Sequence, residues 1–373
     1  MVVAGGGVAA LEAVVALGAM APGAADVVLV APTDVYVDRP WTIGEPFGLG
    51  RVRRYPLGAL CAEAGARHVL DVVHAVRADE HRVVTGSGAE IDYDLLVCAP
   101  GARRFPAFEH GVTFDRETAP EDFDDILGDV DLGFAPRVAI VVPDGVTWTL
   151  PAYELAVLMA GWSRQHLRAD TVITLFTPEP SAVAMFGSAA SDGVADLLAE
   201  EHVALRTGVH PDVVTATALR AGGGWHRADR IVSLPKLSGP ALAGLPNDAY
   251  GFIRTEAGGR VVGRPDIYAA GDGTDAPIKQ GGLAAQQALA IATDIAIRLG
   301  AGVRRGAGGE VLRGVLRTPA GPRFLRAELD DPEGTSTISA EPLWWPPSKI
   351  SSRHLAPLLA RHDVERGARA GVL

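Results

Sequence analysis

The sequence has little cysteine: Cys61 and Cys98 are the two examples among 373 residues. They lie 37 positions apart, which excludes both a disulfide framework and a C-x-x-C redox pair. Cys98 falls at the end of a predicted buried strand and Cys61 within a predicted helix, so both are interpreted as packed thiols rather than nucleophiles. This cysteine usage, together with the absence of a basic leader segment at Met1, predicts a cytoplasmic protein.

Positive charge and long apolar runs are lacking as well. The formal net charge of −11 argues against nucleic acid, whose phosphates require a basic face, and disfavours binding to anionic membranes. No apolar run approaches the roughly 18 residues from which a transmembrane helix is recognised. The ten histidines lack metal-ligand spacing and no G-x-S-x-G segment occurs, so neither a metal site nor a serine nucleophile is predicted.

The sequence does contain an apolar strand that leads directly into a glycine-rich turn. Residues 2–4 are followed by Gly5-x-Gly7-x-x-Ala10, then by an apolar helix to about Met20 and a second strand over 27–30. A phosphate-binding dinucleotide turn requires this order of strand, turn, helix and strand. Gly5 permits the tight turn, Gly7 lets the backbone approach a pyrophosphate, and Ala10 allows the helix to pack closely on the strand. A turn that is merely rich in glycine is the alternative.

A second segment, residues 271–287, makes this prediction more specific. An apolar run over 266–270 ends at Gly271-Asp272, and an alanine-rich helix begins after Gly281-Gly282. A carboxylate at a strand end can accept hydrogen bonds from polyol hydroxyls, and a glycine-opened helix N-terminus attracts an anionic group. Together the two segments predict a flavin dinucleotide site.

The chain opens a nucleotide-type fold a second time, at residues 137–142. The turn over 143–151 contains no G-x-G-x-x-G pattern, and its Trp148 would fill the space that a pyrophosphate needs. Before this unit, the acidic run over 115–131 is interpreted as a solvated surface connector.

The tail from about residue 307 is broken by proline and glycine and contains the cluster Trp344-Trp345-Pro346-Pro347. Two interpretations stand side by side: an anchor that docks the C-terminus onto the core, or a cap over the flavin ring or an apolar acceptor pocket. The stretch over 355–359 contains Pro357 and is interpreted as too short for a firm amphipathic anchor. A peripheral membrane contact through the two tryptophans is left open.

In this order of motifs the sequence resembles the two-dinucleotide-binding-domain flavoproteins, the pyridine nucleotide-disulfide oxidoreductase family. The likeness covers about residues 1–300 and is strongest to the branch that holds sulfide:quinone oxidoreductases, flavocytochrome c sulfide dehydrogenases and type II NADH dehydrogenases. It implies an α/β fold of two Rossmann-like three-layer domains. The predicted units are the FAD domain in two parts (1–115 and 248–306), an acidic connector (116–136), a degenerate NAD-type domain (137–247) and a small C-terminal cap (307–373).

The resemblance also implies FAD as the cofactor. Asp272 would bind its ribitol and pyrophosphate region, and the backbone near Val76 would contact adenine. Lys279 and the helix start beside it would face the pyrimidine edge of the flavin, where two-electron reduction places negative charge. Lys279 is therefore the candidate catalytic residue, with a solvated loop lysine as the alternative. The implied cofactor-binding residues are Gly5, Gly7, Val8, Ala9, Ala10, Ala31, Arg39, Pro40, Val76, Ala99, Gly101, Gly271, Asp272, Lys279, Gln280, Gly281 and Gly282.

The sequence departs from the family pattern at four places. One is the turn Ala99-Pro100-Gly101, where the family usually has threonine in the middle. Ala31 stands where an acidic residue would bind the adenosine ribose, although Thr33 or Asp34 could substitute for it. No cysteine follows Cys98, so no thiolate is placed to oxidise sulfide through a persulfide. The missing second glycine motif weakens NAD(P)H as the electron donor.

These observations predict an FAD-dependent oxidoreductase that passes hydride or electrons through flavin to a quinone-like or protein acceptor, without redox-active cysteines. The alternative is a non-catalytic FAD-binding module or a flavin-free scaffold that kept the fold. A homodimer is left open.

Overall fold

The computed structural model describes residues 1–115, 120–306, 308–331 and 335–365, together with residue 367. Its α-helices are α1 (Val8–Met20), α2 (Leu57–Glu63), α3 (Pro120–Asp131), α4 (Leu150–Gln165), α5 (Ser188–Glu200), α6 (Gly281–Arg298) and α7 (Leu355–Glu365). Short 3-10 helices lie at Arg39–Gly44, Ala78–Glu80, Ala184–Phe186 and Gly271–Gly273.

The strands are β1 (Val2–Ala4), β2 (Val27–Ala31), β3 (Val35–Val37), β4 (Arg54–Pro56), β5 (Ala66–Leu70), β6 (Val73–Arg77), β7 (Arg82–Thr85), β8 (Glu90–Asp92), β9 (Leu96–Cys98), β10 (Arg103–Phe105), β11 (Val112–Thr113), β12 (Arg137–Val141), β13 (Val172–Phe176), β14 (Val203–Arg206), β15 (Val213–Val214), β16 (Ala218–Ala221), β17 (Gly224–Arg227), β18 (Arg230–Ser233), β19 (Lys236–Ser238), β20 (Arg260–Val261), β21 (Arg264–Ala269), β22 (Val311–Leu316), β23 (Arg323–Glu328) and β24 (Ser336–Ser339).

Two sheets of mainly parallel strands confirm the predicted α/β fold class. The first has the order β20-β21-β9-β1-β2-β5, and all of its neighbours run parallel except β20 and β21. Strands from the start of the chain and from residues 260–269 share this sheet, as a domain interrupted by another one requires. The domain boundaries themselves stay a prediction.

Side chains of the first sheet alternate between two cores, because successive residues of a strand point to opposite faces. Val3 and its register partner Val97 pack in the core that contains α1 and α6. Val2 and its partner Leu96 pack on the other face with Val83 of the antiparallel sheet β6-β7-β8. Both faces are covered, which explains why these strands read as uninterrupted apolar runs.

The second sheet has the order β11-β18-β12-β13-β14 and is parallel throughout. Ile140 and Leu175 on one face share a core with α4 and α5. Val141 and Phe176 on the other face pack against residues of the antiparallel sheet β15-β16-β17. This unit repeats the layered arrangement of the first, as the second strand–turn–helix pattern predicts.

The acidic stretch forms helix α3, which the sequence interpretation did not foresee. Phe123, Ile126, Leu127 and Val130 are buried at the spacing of one helix face. The structure therefore corrects the interpretation of a purely solvated connector, because Asp124 and Asp125 are exposed on a helix whose other face is packed. Glu117 of the same acidic run lies outside the described residues.

The alternating pattern of residues 69–76 predicts a single strand, and this prediction is wrong because the chain turns at Asp71. The Asp71 carboxylate accepts a hydrogen bond of 2.7 Å from the Val72 backbone N–H and another from the Ser87 hydroxyl. Strand β5 consequently ends before this residue and β6 begins after it, in a different sheet.

The tail is more ordered than its prolines and glycines suggest. Strands β22, β23 and β24 form an antiparallel sheet whose Leu312 and Leu325 join the core of the second unit. Helix α7 places Leu355 and Leu358 in the core beside α1. Pro357 lies in the first turn of α7, where its missing N–H interrupts no bond within the helix. Among the described helices, none combines the length and apolar character needed to cross a membrane.

Candidate functional site

The carboxyl ends of strands from both sheets surround a cavity of about 1050 Å³. The segments that follow β1, β2, β9 and β21 of the first sheet line it, together with those that follow β12 and β18 of the second. Ligands of open α/β folds bind at this end of the strands. The volume is at the upper end of the usual range for small-molecule sites, so this cavity is the candidate functional site.

The glycine-rich turn supplies one end of the cavity. Gly5 has a φ of +125°, and a Cβ atom on it would lie 2.1 Å from the carbonyl oxygen of Ala99, so the turn requires glycine there. Gly7 has an ordinary φ of −90°, and a Cβ atom on it would meet no protein atom within 4 Å. Gly7 lines the cavity, so this open space is available to a ligand.

Helix α1 begins directly after Gly7 and presents its N-terminus to the same space. No side chain caps this end, and no acidic residue occurs in the first turn. The helix N-terminus therefore offers N–H donors and partial positive charge to an anionic group such as a pyrophosphate.

Asp272 also lines the cavity. In the described part of the chain its carboxylate makes neither a hydrogen bond nor an ion pair, although it lies close enough to Lys279 to influence that residue's pKa. The preceding Gly271 has a φ of +79°, and its N–H donates to Gln287 Oε1 at 2.9 Å. A carboxylate without a protein partner, held on a braced turn, suits the binding of ligand hydroxyls.

Lys279 lines the cavity and is half-buried. Its ammonium lies 3.9 Å from the centroid of the Phe252 ring and donates a hydrogen bond to the Thr274 carbonyl oxygen. Burial lowers the pKa of Lys279, whereas the nearby carboxylate of Asp272 acts in the opposite direction. These contacts hold the cation at the cavity wall, unlike a solvated loop lysine.

The start of α6 lies next to Lys279. Gln280 caps this helix, because its Oε1 accepts from the Leu283 N–H at 2.7 Å while its Nε2 donates to the Arg313 carbonyl oxygen at 3.1 Å. A Cβ atom on Gly281 would lie 3.1 Å from Cδ1 of Ile350, a tail residue that also lines the cavity. The absence of a side chain at Gly281 thus lets the tail approach the helix start.

Most of the predicted cofactor residues come together at this cavity. Those that line it are Gly5, Gly7, Val8, Ala9, Arg39, Pro40, Ala99, Gly101, Gly271, Asp272, Lys279, Gln280 and Gly281. Those outside the lining are Ala10, Ala31, Val76 and Gly282. Their roles toward the cofactor stay predictions.

Two of the residues outside the lining bear on adenosine binding. The Val76 N–H donates to the Ala243 carbonyl oxygen at 2.8 Å, while Val72 and Val73 line the cavity instead. Ala31 is fully buried at the end of β2, so no carboxylate stands at the ribose position. Thr33 lines the cavity, but its hydroxyl donates to the Val35 carbonyl oxygen at 3.1 Å.

The turn after β12 lacks the glycine pattern of a dinucleotide site and carries Trp148. Trp148 lines the cavity with its ring centroid 5.9 Å from that of Phe186. Sequence reasoning missed Glu179, which follows β13 at the place where such folds carry a ribose-binding acid. The Glu179 carboxylate accepts from the Tyr153 hydroxyl at 2.8 Å and from the Ala184 N–H at 3.0 Å, so it is already occupied.

A buried ion pair at the cavity wall was also missed. Lys349 and Glu154 line the cavity, and their side chains are 5% and 3% exposed. Burial lowers the pKa of Lys349 and raises that of Glu154, and each partner's charge opposes the effect of burial on the other. The rarity of lysine was the signal that could have drawn attention to Lys349. The sequence contains three lysines (236, 279 and 349), and in the structure all of them line the cavity.

The tryptophans of the tail lie away from the cavity lining. The Trp344 ring packs edge-on against Phe324 with centroids 5.2 Å apart, and its N–H donates to the Ser348 carbonyl oxygen at 3.0 Å. Trp345 is 86% exposed. Of the two interpretations, this geometry fits an anchor for Trp344, while Lys349 and Ile350 are the tail residues that reach the cavity.

These features fit FAD. The uncapped start of α1 and the open space at Gly7 suit a pyrophosphate. The unpaired carboxylate of Asp272 suits polyol hydroxyls, and the cation of Lys279 suits a group that gains negative charge.

Comparison with known proteins agrees with this geometry. The sequence profile of the pyridine nucleotide-disulphide oxidoreductase family matches residues 1–292. An NADH dehydrogenase-like protein of Mycobacterium tuberculosis is 31% identical over 299 residues, which span 73% of this chain and 72% of that relative.

Solved structures with a similar fold include two redox enzymes. The sulfide:quinone oxidoreductase of the hyperthermophilic bacterium Aquifex aeolicus superposes with a TM-score of 0.81 at 20% identity, covering 98% of this chain and 91% of that one. A ferredoxin reductase from Rhodopseudomonas palustris superposes with a TM-score of 0.65 at 16% identity, covering 88% and 82%. At these identities the likeness concerns the fold alone. The family match and the M. tuberculosis relative go further: the chain belongs to the pyridine nucleotide-disulphide oxidoreductase family and is an FAD-dependent oxidoreductase.

Proposed function

We propose that the protein passes hydride or electrons through its FAD to a quinone-like acceptor, without redox-active cysteines. The main support is the wall that the second unit contributes to the cavity, which carries Phe114, Trp148 and Leu234 and no cysteine. Flat apolar and aromatic surfaces suit a planar quinone ring. A small redox protein is the second candidate acceptor, supported by the fold likeness to a ferredoxin reductase.

The two cysteines support a reaction without thiol chemistry. Cys61 and Cys98 are fully buried, and neither lines the cavity. Burial raises the pKa of Cys61 to about 11 and that of Cys98 to about 12. Neither thiol therefore ionises near neutral pH, and a thiol that stays protonated is a poor nucleophile.

The residues around the cofactor site have distinct proposed roles. When bound, FAD supplies the hydride or electron transfer. The N–H groups at the start of α1 would hold its pyrophosphate, and the Asp272 carboxylate would accept hydrogen bonds from its polyol. Lys279, fixed by Phe252 and Thr274, would stabilise negative charge near the start of α6.

NAD(P)H is a poor fit as the donor. The second turn lacks a glycine pattern, and the Val146 N–H is used within it, donating to the Pro143 carbonyl oxygen at 3.3 Å. Trp148 borders the turn, and the Glu179 carboxylate is occupied by Tyr153. We therefore expect reduction by NADH or NADPH to be slow, or to require unusually high concentrations.

Anaerobic stopped-flow measurements on the purified holoprotein test this proposal. Flavin reduction is followed with NADH, NADPH, sulfide and a quinol, and the chemically reduced protein is then mixed with 2-methyl-1,4-naphthoquinone or a ferredoxin. We expect fast reoxidation by the quinone and equal rates in a Cys61→Ala/Cys98→Ala control. Rapid flavin bleaching at micromolar NADH would contradict the expectation that NAD(P)H is a poor donor. Loss of turnover in the thiol-free control would contradict a reaction without redox-active cysteines.

A further inference from the structure

The distribution of lysine in this chain is uneven. Three of the 34 basic residues are lysines and the others are arginines, yet all three lysines line the same cavity. The two side chains are not interchangeable, since lysine presents a compact ammonium whereas arginine presents a planar fork. The chain has arginine at its other basic positions and lysine only at these three. This distribution indicates a specific use of the ammonium group.

Two of the three ammonium groups have protein partners. Lys349 pairs with Glu154, and Lys279 binds a carbonyl oxygen above the Phe252 ring. Lys236 is different: within the residues that the structure describes, its side chain makes no hydrogen bond, ion pair or ring contact. It is also partly buried, although its charge is not neutralised by the protein.

The backbone fixes the position of Lys236. It begins β19, where its register partner on β10 is Phe105. The residues before it are held between two other cavity segments, because the Leu234 N–H donates to the Val141 carbonyl oxygen at 3.0 Å and the Phe114 N–H donates to the Ser233 carbonyl oxygen at 2.8 Å. Lys236 thus stands at the start of β19, directly after a segment that is hydrogen-bonded to β12 and to Phe114.

None of the described acidic residues that line the cavity pairs with Lys236. Asp144 pairs with His210 at 2.7 Å. Asp248 accepts from the backbone N–H groups of Tyr250 and Phe252, and Asp275 accepts from Thr255. Asp115 also has a partner, and Asp272 lies beside Lys279. The charge of Lys236 therefore faces the cavity without a carboxylate of its own.

We propose that Lys236 is the counter-ion for a small aromatic anion that binds in the aromatic compartment, the part of the cavity lined by Phe105, Phe114, Trp148 and Lys236. The rings supply apolar faces, and the unpaired ammonium supplies one positive charge. A dinucleotide is a worse match, because the neighbouring turn lacks a pyrophosphate-binding pattern. This inference rests on the proposed function only in taking the compartment as the place of the redox partner.

A binding measurement on the holoprotein tests the charge preference directly. 2-Naphthoate and its neutral isostere 2-naphthamide are titrated while the flavin absorbance is followed. We expect naphthoate to bind about tenfold more tightly, the effect of one charge-assisted contact. Lys236→Met should abolish this preference, whereas Lys236→Arg should keep most of it, with FAD content unchanged in both. Equal affinities for the two ligands, or an unchanged preference in Lys236→Met, would overturn the inference.

Turnover separates this inference from the proposed function. The rates with 1,4-naphthoquinone-2-sulfonate and with 2-methyl-1,4-naphthoquinone are compared in the wild type and in Lys236→Met. A lower KM for the sulfonate that depends on Lys236 supports the inference. If neither quinone is reduced but naphthoate still binds through Lys236, the acceptor proposal fails and the inference stands. If both quinones are reduced, but the protein distinguishes neither naphthoate from naphthamide nor the sulfonate from the neutral quinone, the inference fails and the proposed function stands.

Discussion

Two glycines of the first turn illustrate how one residue type serves the fold and the ligand separately. Gly5 is required by the protein, because a Cβ atom there would lie 2.1 Å from the Ala99 carbonyl oxygen in a backbone conformation with φ of +125°. The fold does not require glycine at position 7, because the φ of Gly7 is an ordinary −90° and no protein atom would lie within 4 Å of a Cβ atom there. Substitutions at these two positions can therefore distinguish an effect on folding from an effect on cofactor binding.

The first prediction follows from this contrast. Gly7→Val should leave the far-ultraviolet circular dichroism and the solubility unchanged while lowering FAD content severely, because its side chain projects into the space left for the pyrophosphate. Gly5→Ala should instead give little folded protein. Flavin absorbance relative to protein absorbance measures the first effect. A yellow Gly7→Val protein with normal FAD content would refute the placement of the pyrophosphate.

The second prediction concerns Asp272, whose carboxylate has no protein partner in the described chain. Asp272→Ala should weaken FAD binding by about 1–3 kcal/mol, because the polyol loses a charged acceptor. Asp275→Ala is the matched control, since that carboxylate also lines the cavity but binds Thr255. Isothermal titration of the apoprotein with FAD measures both. Equal losses in the two variants would show that Asp272 has no special role.

The third prediction concerns pH and Asp38, which precedes the cavity residues Arg39 and Pro40. Burial raises the pKa of Asp38 to about 6, against the opposing charges of Arg53 and Lys349. The folded state therefore keeps a proton that the unfolded chain releases near pH 4. The stability from this residue is complete below about pH 4 and is lost as the pH rises to about 6.

Thermal denaturation of the holoprotein between pH 4 and pH 7 measures this effect. Wild type should lose stability over that interval relative to Asp38→Asn, whose side chain does not ionise. Parallel pH profiles for the two proteins would show that Asp38 titrates in the same range whether the chain is folded or unfolded.

At the scale of elements, sequence reasoning succeeded where the signal is local. Turn residues and the pattern of apolar residues predict both the start of α1 after a glycine turn and the start of α6 at Gly281. It failed where contacts with residues distant in the sequence determine the secondary structure. The strand broken at Asp71 depends on Ser87, and α7 depends on a core that the tail meets only after folding.

Helix α7 shows this dependence most clearly, because its N-terminus is capped from another helix. Glu12 of α1 is fully buried and accepts hydrogen bonds from the backbone N–H groups of residues 353–355, at 2.7–3.3 Å. These groups are more than 340 positions away in sequence, so no local pattern reveals the contact. A carboxylate in an otherwise apolar helix was the available signal.

The fourth prediction tests this cap. Glu12→Leu should destabilise the protein by about 2–4 kcal/mol, because it leaves several buried N–H groups without acceptors. Glu63→Gln is the control: it weakens exposed contacts of the same helix with Arg361 and His362 and should cost less than about 1 kcal/mol. Urea denaturation at saturating FAD compares the two. A Glu12→Leu variant as stable as the control would mean that the cap contributes nothing.

At the scale of the whole molecule, the tail joins the two α/β units around the cofactor cavity. Lys349 binds Glu154 of α4 in the second unit, and Glu12 of the first unit caps α7. Asp363 at the end of the same tail accepts from the Tyr55 hydroxyl at 2.8 Å. The tail thus spans both units, and two of its residues, Lys349 and Ile350, complete the cavity wall. The two tryptophans, in contrast, lie outside the cavity lining.

The fifth prediction asks whether the Lys349–Glu154 pair holds the tail by charge or by packing. Both side chains are almost fully buried, and removing one partner leaves an uncompensated buried charge. Lys349→Met or Glu154→Leu alone should therefore cost about 3–5 kcal/mol, whereas the double variant Lys349→Met/Glu154→Leu should recover most of the loss, because an apolar pair of similar size packs without a desolvation penalty.

Urea denaturation at saturating FAD, analysed as a double-mutant cycle, provides the coupling energy. If the losses of single variants simply add in the double variant, the two charges are not coupled, and the tail is held by its apolar contacts. If the double variant is stable but reacts with oxygen faster than wild type, the pair serves to seal the cavity rather than to stabilise the fold. Recovery of stability with an unchanged oxygen reaction is the outcome we expect, because Leu355 and Leu358 keep the tail docked beside α1.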